Sequence, residues 1–414
     1  MLGHPGNYFI HLLAAYIYIS GNCHAAEMSY EKLNEVFGFH LFVDENLLDD
    51  PVGDLAERLG ANKESETQNS MTFRSGRKLV LGLQAETIML IAAGGQIAEA
   101  TFMFVNKGDS VSRIRKQEPK ATERKIYKRI NEEIREGSDQ IENTFTGILG
   151  KPDVKQIGIS RDVREVVKNW KWKNLMLQLS EQENEFLSFR ILPAEGEGPE
   201  LMRDLPVDAF RMKLEANVEK RDNGDVIIKN IPMVNQGHKG YCVPATWSRY
   251  LNYVGVLVDE YQLARAAGTD LGGGTTFSGI VRGATQLARR NRLSVDTVRS
   301  KMSMTRISRY IDKGMPIMWG MRAVGPFQGT GASSDRMEGM SPSEWKLSLK
   351  SQRRAARDLE KVDNNYHMCM IIGYNEETDE ICTSDSWGRE HEEKWYTLEE
   401  VEAVSMGYLY VLQR

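Results

Sequence analysis

The sequence predicts an α+β protein in which a C-terminal domain of helices and antiparallel sheet follows a β-rich N-terminal region. Three observations carry that prediction. Residues 71–106 and 170–193 alternate apolar and polar side chains with a period of two, as half-buried strands do. A Gly-containing loop runs into Cys242, and residues 245–253 then have helical character. An apolar strand opens on His367 and returns through a polar turn at 375–379 to Asp385. At 414 residues the chain exceeds one ordinary core. The expected organisation is a signal segment at 1–25, a β-rich region at 27–200, a linker at 201–225 and a second domain at 226–414.

Composition sets outer limits. The apolar share of 41% and charged share of 27% are those of a globular chain. A net charge of −5 argues against a dedicated nucleic-acid binder. No stretch reaches the roughly 20 apolar residues that cross a bilayer. The apolar run at 9–19, followed by Cys23 and Ala25 at the −3 and −1 positions of a small-x-small site, reads as a secretory signal. Residues 1–8 carry no Lys or Arg, so a buried first helix is the other reading. With a signal, the chain is exported (periplasmic, cell-surface or secreted) and has no stable membrane insertion after cleavage. Removal of Cys23 would leave Cys242, Cys369 and Cys382. That odd set is no disulfide framework and suits one thiol kept for chemistry.

Along the N-terminal region, Leu79, Leu81 and Leu83 read as one strand, and Gly94-Gly95 as a hairpin turn. Residues 120–137 read as a helix, with Ile126, Ile130 and Ile134 on one face and Gly137 as its stop. The eight Lys and Arg residues between Arg113 and Arg129 are interleaved with acids, which favours a solvated face over a site for an acidic partner. Leu175, Leu177 and Leu179 are expected to face Leu187, Phe189 and Ile191 across a turn at 181–185. The two Leu-x-Leu-x-Leu segments hint at a duplicated β unit. Residues 195–200 look like a linker.

The chemistry concentrates in the second domain. Pro244 is tolerated in a first helical turn, so Cys242 sits at a helix N-terminus, where exposed amides and the dipole favour a thiolate nucleophile. His367 supplies a base. Asp385 follows it by an even offset, which places the two on one sheet face and lets the carboxylate fix the imidazole tautomer. Cys369 shares the His367 face, whereas Cys382 has opposite parity to Asp385, so no disulfide is expected across the hairpin. Acyl transfer builds an oxyanion. Gln236, six residues before Cys242, can donate to it with the Cys242 N–H, although Asn235 adjoins and is the other candidate. Trp387 can shield the His–Asp pair. His238 lies too near Cys242 to be the base, and His391 is a further histidine. The 272–274 glycines lack the Lys of a phosphate loop.

Gln-x5-Cys, a strand beginning with His, and Asp-Ser-Trp-Gly together resemble the papain superfamily of cysteine peptidases. The resemblance covers about 226–320 and 364–414. It implies a papain-like fold, with Cys242, His367, Asp385 and Gln236 in the catalytic roles. Asp at 385, where papain itself has Asn, looks like the bacterial branch similar to bacteriocin-leader (double-glycine) peptidases. The expected function is hydrolysis of a peptide or protein substrate through a thioester, with no metal or organic cofactor. A transglutaminase-like acyl transferase uses the same set, and a papain-fold binding protein without turnover is the non-enzymatic alternative. Residues 322–364 interrupt the domain and are expected to form a lid or specificity element beside the cleft.

Overall fold

The computed structural model describes residues 28–158, 164–194, 201–236, 241–266, 277–299, 301–322, 325–359 and 366–414. The expected signal segment, the 195–200 stretch, His238 and the 272–274 glycines lie outside the described residues. The architecture is α+β: two eight-stranded sheets, each with its own apolar core.

The N-terminal sheet is antiparallel throughout. Its spatial order is Asn62–Glu66, Ser70–Ser75, Thr87–Ala93, Gln96–Asn106, Phe186–Pro193, Leu175–Gln182, Arg164–Trp172 and Asp153–Gly158. The pairing register explains why both faces are covered. Leu90, Ala100, Ile191, Leu177 and Trp170 form one cross-strand row, and all belong to the core beneath the helices. The next row, Met89, Thr101, Arg190, Gln178 and Asn169, points to the other face. That face is turned toward the C-terminal domain, where Met89, Met103 and Phe186 pack with Tyr241, Tyr261 and Ala264.

Several expectations are met and several corrected. Gly94 and Gly95 do form a hairpin turn, and Phe189 and Ile191 oppose Leu179 and Leu177. Leu79 to Leu83 is not one strand. A turn at Leu81 and Gly82, both at positive φ, splits it into Lys78–Val80 and Leu83–Ala85. The two Leu-x-Leu-x-Leu segments therefore occupy unlike elements and mark no repeat. The expected helix runs from Glu123 to Leu149, straight through Gly137. A Cβ at 137 would lie 2.6 Å from Leu187 Cδ2, so this glycine admits the sheet rather than ending the helix. The basic run is paired along the surface, for example Arg113 with Glu133 at 2.6 Å and Arg129 with Glu118 at 3.1 Å.

The C-terminal sheet is ordered Val218–Lys220, Val226–Ile228, Tyr366–Asn375, Ile317–Arg322, Ser405–Gln413 and Ser294–Arg299. Glu380–Ser384 also pairs with Tyr366–Asn375, and Lys394–Thr397 pairs with Glu380–Ser384. The helix Cys242–Tyr253 packs on it, burying Val243, Trp247, Tyr250 and Leu251. Residues read as a linker contribute to this core: Met202, and Phe210 and Leu214 of the helix Val207–Glu215, are buried in it.

The interrupting segment holds Gly325–Thr330, Pro342–Ser348 and Lys350–Leu359. Several of its polar anchors lie at the 375–380 turn. Arg336, fully buried, pairs with Asp225 at 2.8 Å and Glu380 at 3.0 Å and stacks 3.8 Å over Trp395. Trp345 donates to Glu380, Lys346 pairs with Asp379, and Arg353 donates to the Thr378 carbonyl. These contacts grip the 375–380 turn, about 26 Å along the strand from His367 at ~3.3 Å per residue. Within the interrupting segment, residues 336–353 thus brace the far end of the hairpin. A buried guanidinium between two carboxylates holds that position because removing any partner leaves an uncompensated charge.

Gly314 ties the former linker to the sheet. It has φ +66, and a Cβ there would lie 1.9 Å from the Leu214 carbonyl oxygen. Backbone cannot yield as a side-chain end can. Gly314→Ala is expected to destabilise the C-terminal domain by about 3 kcal/mol, combining a clash with left-handed backbone. Thermal denaturation of wild type and variant reads this out, and an unchanged midpoint would contradict the close packing.

Candidate active site

Cys242 is the first residue of its helix, preceded by Tyr241 at the N-cap, and Pro244 occupies the first turn. Cys242 is partly exposed, whereas Cys369 and Cys382 are buried, and all three are free thiols. The helix is fastened beside the histidine strand by Thr246, whose hydroxyl donates to the Met368 carbonyl at 3.0 Å.

His367 is the second residue of Tyr366–Asn375 and pairs with Met321 of the neighbouring strand. Its ring Nε2 lies 2.7 Å from Asp385 Oδ2, and both side chains are buried. The Cys242 side chain is close enough to the same ring to help raise its pKa. With Nε2 engaged by the carboxylate, Nδ1 is the nitrogen left for sulfur. Burial by itself pushes the imidazolium pKa down. The charge and hydrogen bond of Asp385, then the Cys242 contact, more than offset it, and the value rises from 6.5 to about 10.

The even offset between His367 and Asp385 works for a reason that spacing could not supply. Asn375, Tyr374 and Gly373 pair with Glu380, Ile381 and Cys382, but Ile371 and Met370 pair with Thr383 and Ser384. A one-residue shift between Ile371 and Gly373 separates the two registers. Only in the second register does Asp385 share the face of His367. Asp385 is then held by its own turn: its N–H donates to the His391 carbonyl at 2.9 Å, and its Oδ1 accepts from the Ser386 N–H at 2.6 Å.

Gln236 is buried next to this turn. Its backbone N–H donates to the Ser386 carbonyl at 2.8 Å, and its side-chain Oε1 accepts from the Ser386 hydroxyl at 2.7 Å. With the oxygen occupied, the amide NH2 is the end available to a ligand. Asn235, the rival donor, is exposed and its N–H is taken by Glu64. Trp387 stacks on His367 at 4.5 Å and 22°. His391 meets Trp387 edge-on at 5.5 Å, with its Nε2 3.9 Å from Glu390. It is a support for the indole.

Two residues escaped the sequence reading. Ser386 bridges the glutamine and aspartate segments, and its place in Asp-Ser-Trp-Gly was a signal in plain view. Arg249 is the less expected. It is fully buried, two turns along the helix from Cys242. Its Nε donates to the Pro232 carbonyl at 2.9 Å and its Nη2 to the Ser384 hydroxyl at 2.6 Å. Nη1 has no partner among the described residues. Burial lowers its pKa to about 10, resisted chiefly by the Asp385 charge, and the guanidinium stays cationic at neutral pH. One side chain thus joins the segment before Gln236, the helix of Cys242 and the residue before Asp385. A charged residue at i+7 on an otherwise apolar helix face was the available clue.

Among the described residues, no group of three or more His, Cys, Asp or Glu side chains is placed to hold a metal ion. No described helix is long and apolar enough to cross a membrane. No curated protein matches the chain. A family model, that of the Peptidase_C39 like family, does match, over residues 228–410. That span starts before Gln236 and takes in Cys242, His367 and Asp385. Over residues 228–410 the chain is therefore similar to that family.

Proposed function

We propose that the protein is a cysteine peptidase in which Cys242 attacks the scissile carbonyl of a peptide or protein substrate. The observation that carries this reading is the His367 ring, held 2.7 Å from a buried carboxylate and near enough to Cys242 for the two to interact. A ring so placed can hold the proton that the sulfur gives up when it attacks. As the Sγ–C bond forms, negative charge gathers on the carbonyl oxygen. The Cys242 N–H at the helix start and the Gln236 amide are the donors for it. His367 then gives its proton to the leaving amine, the C–N bond breaks, and water hydrolyses the thioester with His367 as base. Asp385 keeps the ring oriented, and Trp387 shields the pair from water on one face.

Acyl transfer to an amine uses the same thioester and differs only in the second nucleophile. Incubation with a peptide substrate with and without an added amine separates the two: hydrolysis predicts free acid as the product in both.

Cys242→Ala and His367→Ala should each lower peptide hydrolysis by about a thousandfold or more, as losses of a nucleophile or its base do. Alkylation of wild type by iodoacetamide, mapped by mass spectrometry, should fall on Cys242. Full activity in Cys242→Ala would refute the assignment.

The pH profile tests the ion pair. The alkaline limb of kcat/KM is expected near pH 10, where the imidazolium loses its proton. Asp385 raises that pKa, so Asp385→Asn should move the limb to lower pH and reduce kcat at least about tenfold. Stability follows the same proton. The folded-state pKa lies above the free value, so the contribution is complete below pH 6.5 and is lost as pH rises toward 10. A limb unmoved by Asp385→Asn would show that the carboxylate does not hold the proton.

Arg249→Met should lower the thermal midpoint and slow turnover, because it frees three segments at once. Arg249→Lys keeps the charge but not the forked donors, and is expected to restore stability better than activity. Equal rescue of both would mean that charge alone matters.

A further inference from the structure

The loop between Gln236 and Cys242 separates the two groups assigned above to the oxyanion, and both ends of it are attached to the N-terminal sheet. On the upstream side, Asn62–Glu66 is the outermost strand of that sheet. Ser65 Oγ accepts from the Met233 N–H at 2.8 Å, and the Glu64 carboxylate accepts from the Asn235 N–H at 3.0 Å. Alternate amides of one extended segment are thus taken by neighbouring side chains of one strand. Glu64 is itself fixed by Arg74, whose Nε lies 3.0 Å from both its oxygens and whose Nη1 reaches Glu260 at 3.1 Å. The next amide, that of Gln236, turns to Ser386.

On the downstream side stands Tyr241, the N-cap residue of the Cys242 helix. Its ring is 3% exposed, although it precedes a partly exposed cysteine. It packs with Met89, Met103 and Phe186 of the sheet and lies edge-on to Tyr261 at 6.1 Å.

We propose that Glu64 and Tyr241 are positioning residues by which the N-terminal sheet sets the two oxyanion donors against each other. This deepens the peptidase reading and rests on it. It also makes the N-terminal region a working part of the site. Preorganised donors work only when held within about half an ångström of their target. The clamp supplies that constraint from outside the catalytic domain: Glu64 through the Gln236 segment, Tyr241 through the start of the helix.

The test compares two reactions of the full chain at Cys242. Acylation by p-nitrophenyl acetate forms the Sγ–C bond through a tetrahedral oxyanion, expels p-nitrophenolate and needs the donors. Alkylation by iodoacetamide forms an Sγ–C bond, expels iodide and builds no oxyanion. Glu64→Ala is expected to slow acylation about tenfold or more while alkylation stays within twofold, since only the oxyanion donor is displaced. Glu64→Gln keeps an acceptor for Asn235 and should recover most of the acylation rate. Tyr241→Ala, which displaces the helix start, should slow both reactions. If that variant fails to fold, the Glu64 pair decides alone.

Wild-type acylation rates in Glu64→Ala, or an equal fall in both reactions, would overturn the proposal while leaving the peptidase reading intact. A wild type that is acylated with the expected Glu64 dependence but cleaves no peptide would overturn the reading and keep the clamp. A wild type not acylated at Cys242 would overturn both.

Discussion

A one-residue register shift in an antiparallel ladder decides on which side of the sheet Asp385 lies. Continued without the shift, the pairing at Asn375 and Glu380 would set Asp385 opposite Met370, pointing away from His367. The shift leaves one residue of the histidine strand unpaired, a local loss of ladder hydrogen bonding. What it gains is a carboxylate 2.7 Å from the ring. Everything else at the site is arranged around that contact: the turn that holds Asp385, the indole stacked on the ring, and the cysteine at the helix start. The brace at the 375–380 turn belongs to the same constraint. Arg336, buried between Asp225 and Glu380, fixes the hairpin from its far end and so resists slippage of the register.

Much of the site was legible because its chemistry demands particular residue types at short spacing. Cys242 with Pro244 after it announces a helix start, and Asp-Ser-Trp-Gly after an apolar strand announces an orienting carboxylate. The even spacing from His367 to Asp385 led to the right face, but through an uninterrupted ladder that the protein does not have. The register shift has no side-chain signature in residues 370–373, which are apolar apart from Gly373. Arg249 was hidden by its neighbours. A lone cation in a strongly apolar helix is read as a surface residue until the surrounding chain is seen to close over it.

The N-terminal region was legible in type but not in use. Period two found the strands and one apolar row, yet it says nothing of what covers the other face. The row of Met89, Thr101, Arg190, Gln178 and Asn169 looks like a solvent face in sequence. In the protein Arg190, Gln178 and Asn169 are buried, and Arg190 lies 3.8 Å from Asp259 of the C-terminal part. Asp259 in turn is forced up to a pKa of about 7 by its burial, with Arg190 pulling against that. Polar side chains are tolerated there because another domain supplies partners, and such pairing is invisible to a pattern taken along one strand. The same limit applies to residues 322–364, whose Pro342–Leu359 portion is broken into two helices and tied to the hairpin turn by charge.

The three thiols have unequal access to their surroundings. Cys369 and Cys382 are sealed in the sheet, and Cys242 alone among them meets solvent. No described part of the fold is stapled by sulfur, so reductants leave the scaffold untouched. Among the described cysteines, oxidants reach one, the proposed nucleophile itself. Catalytic output would then follow the redox poise of the compartment while the shape of the molecule did not, and reversible capping of a single atom would suffice to silence the enzyme.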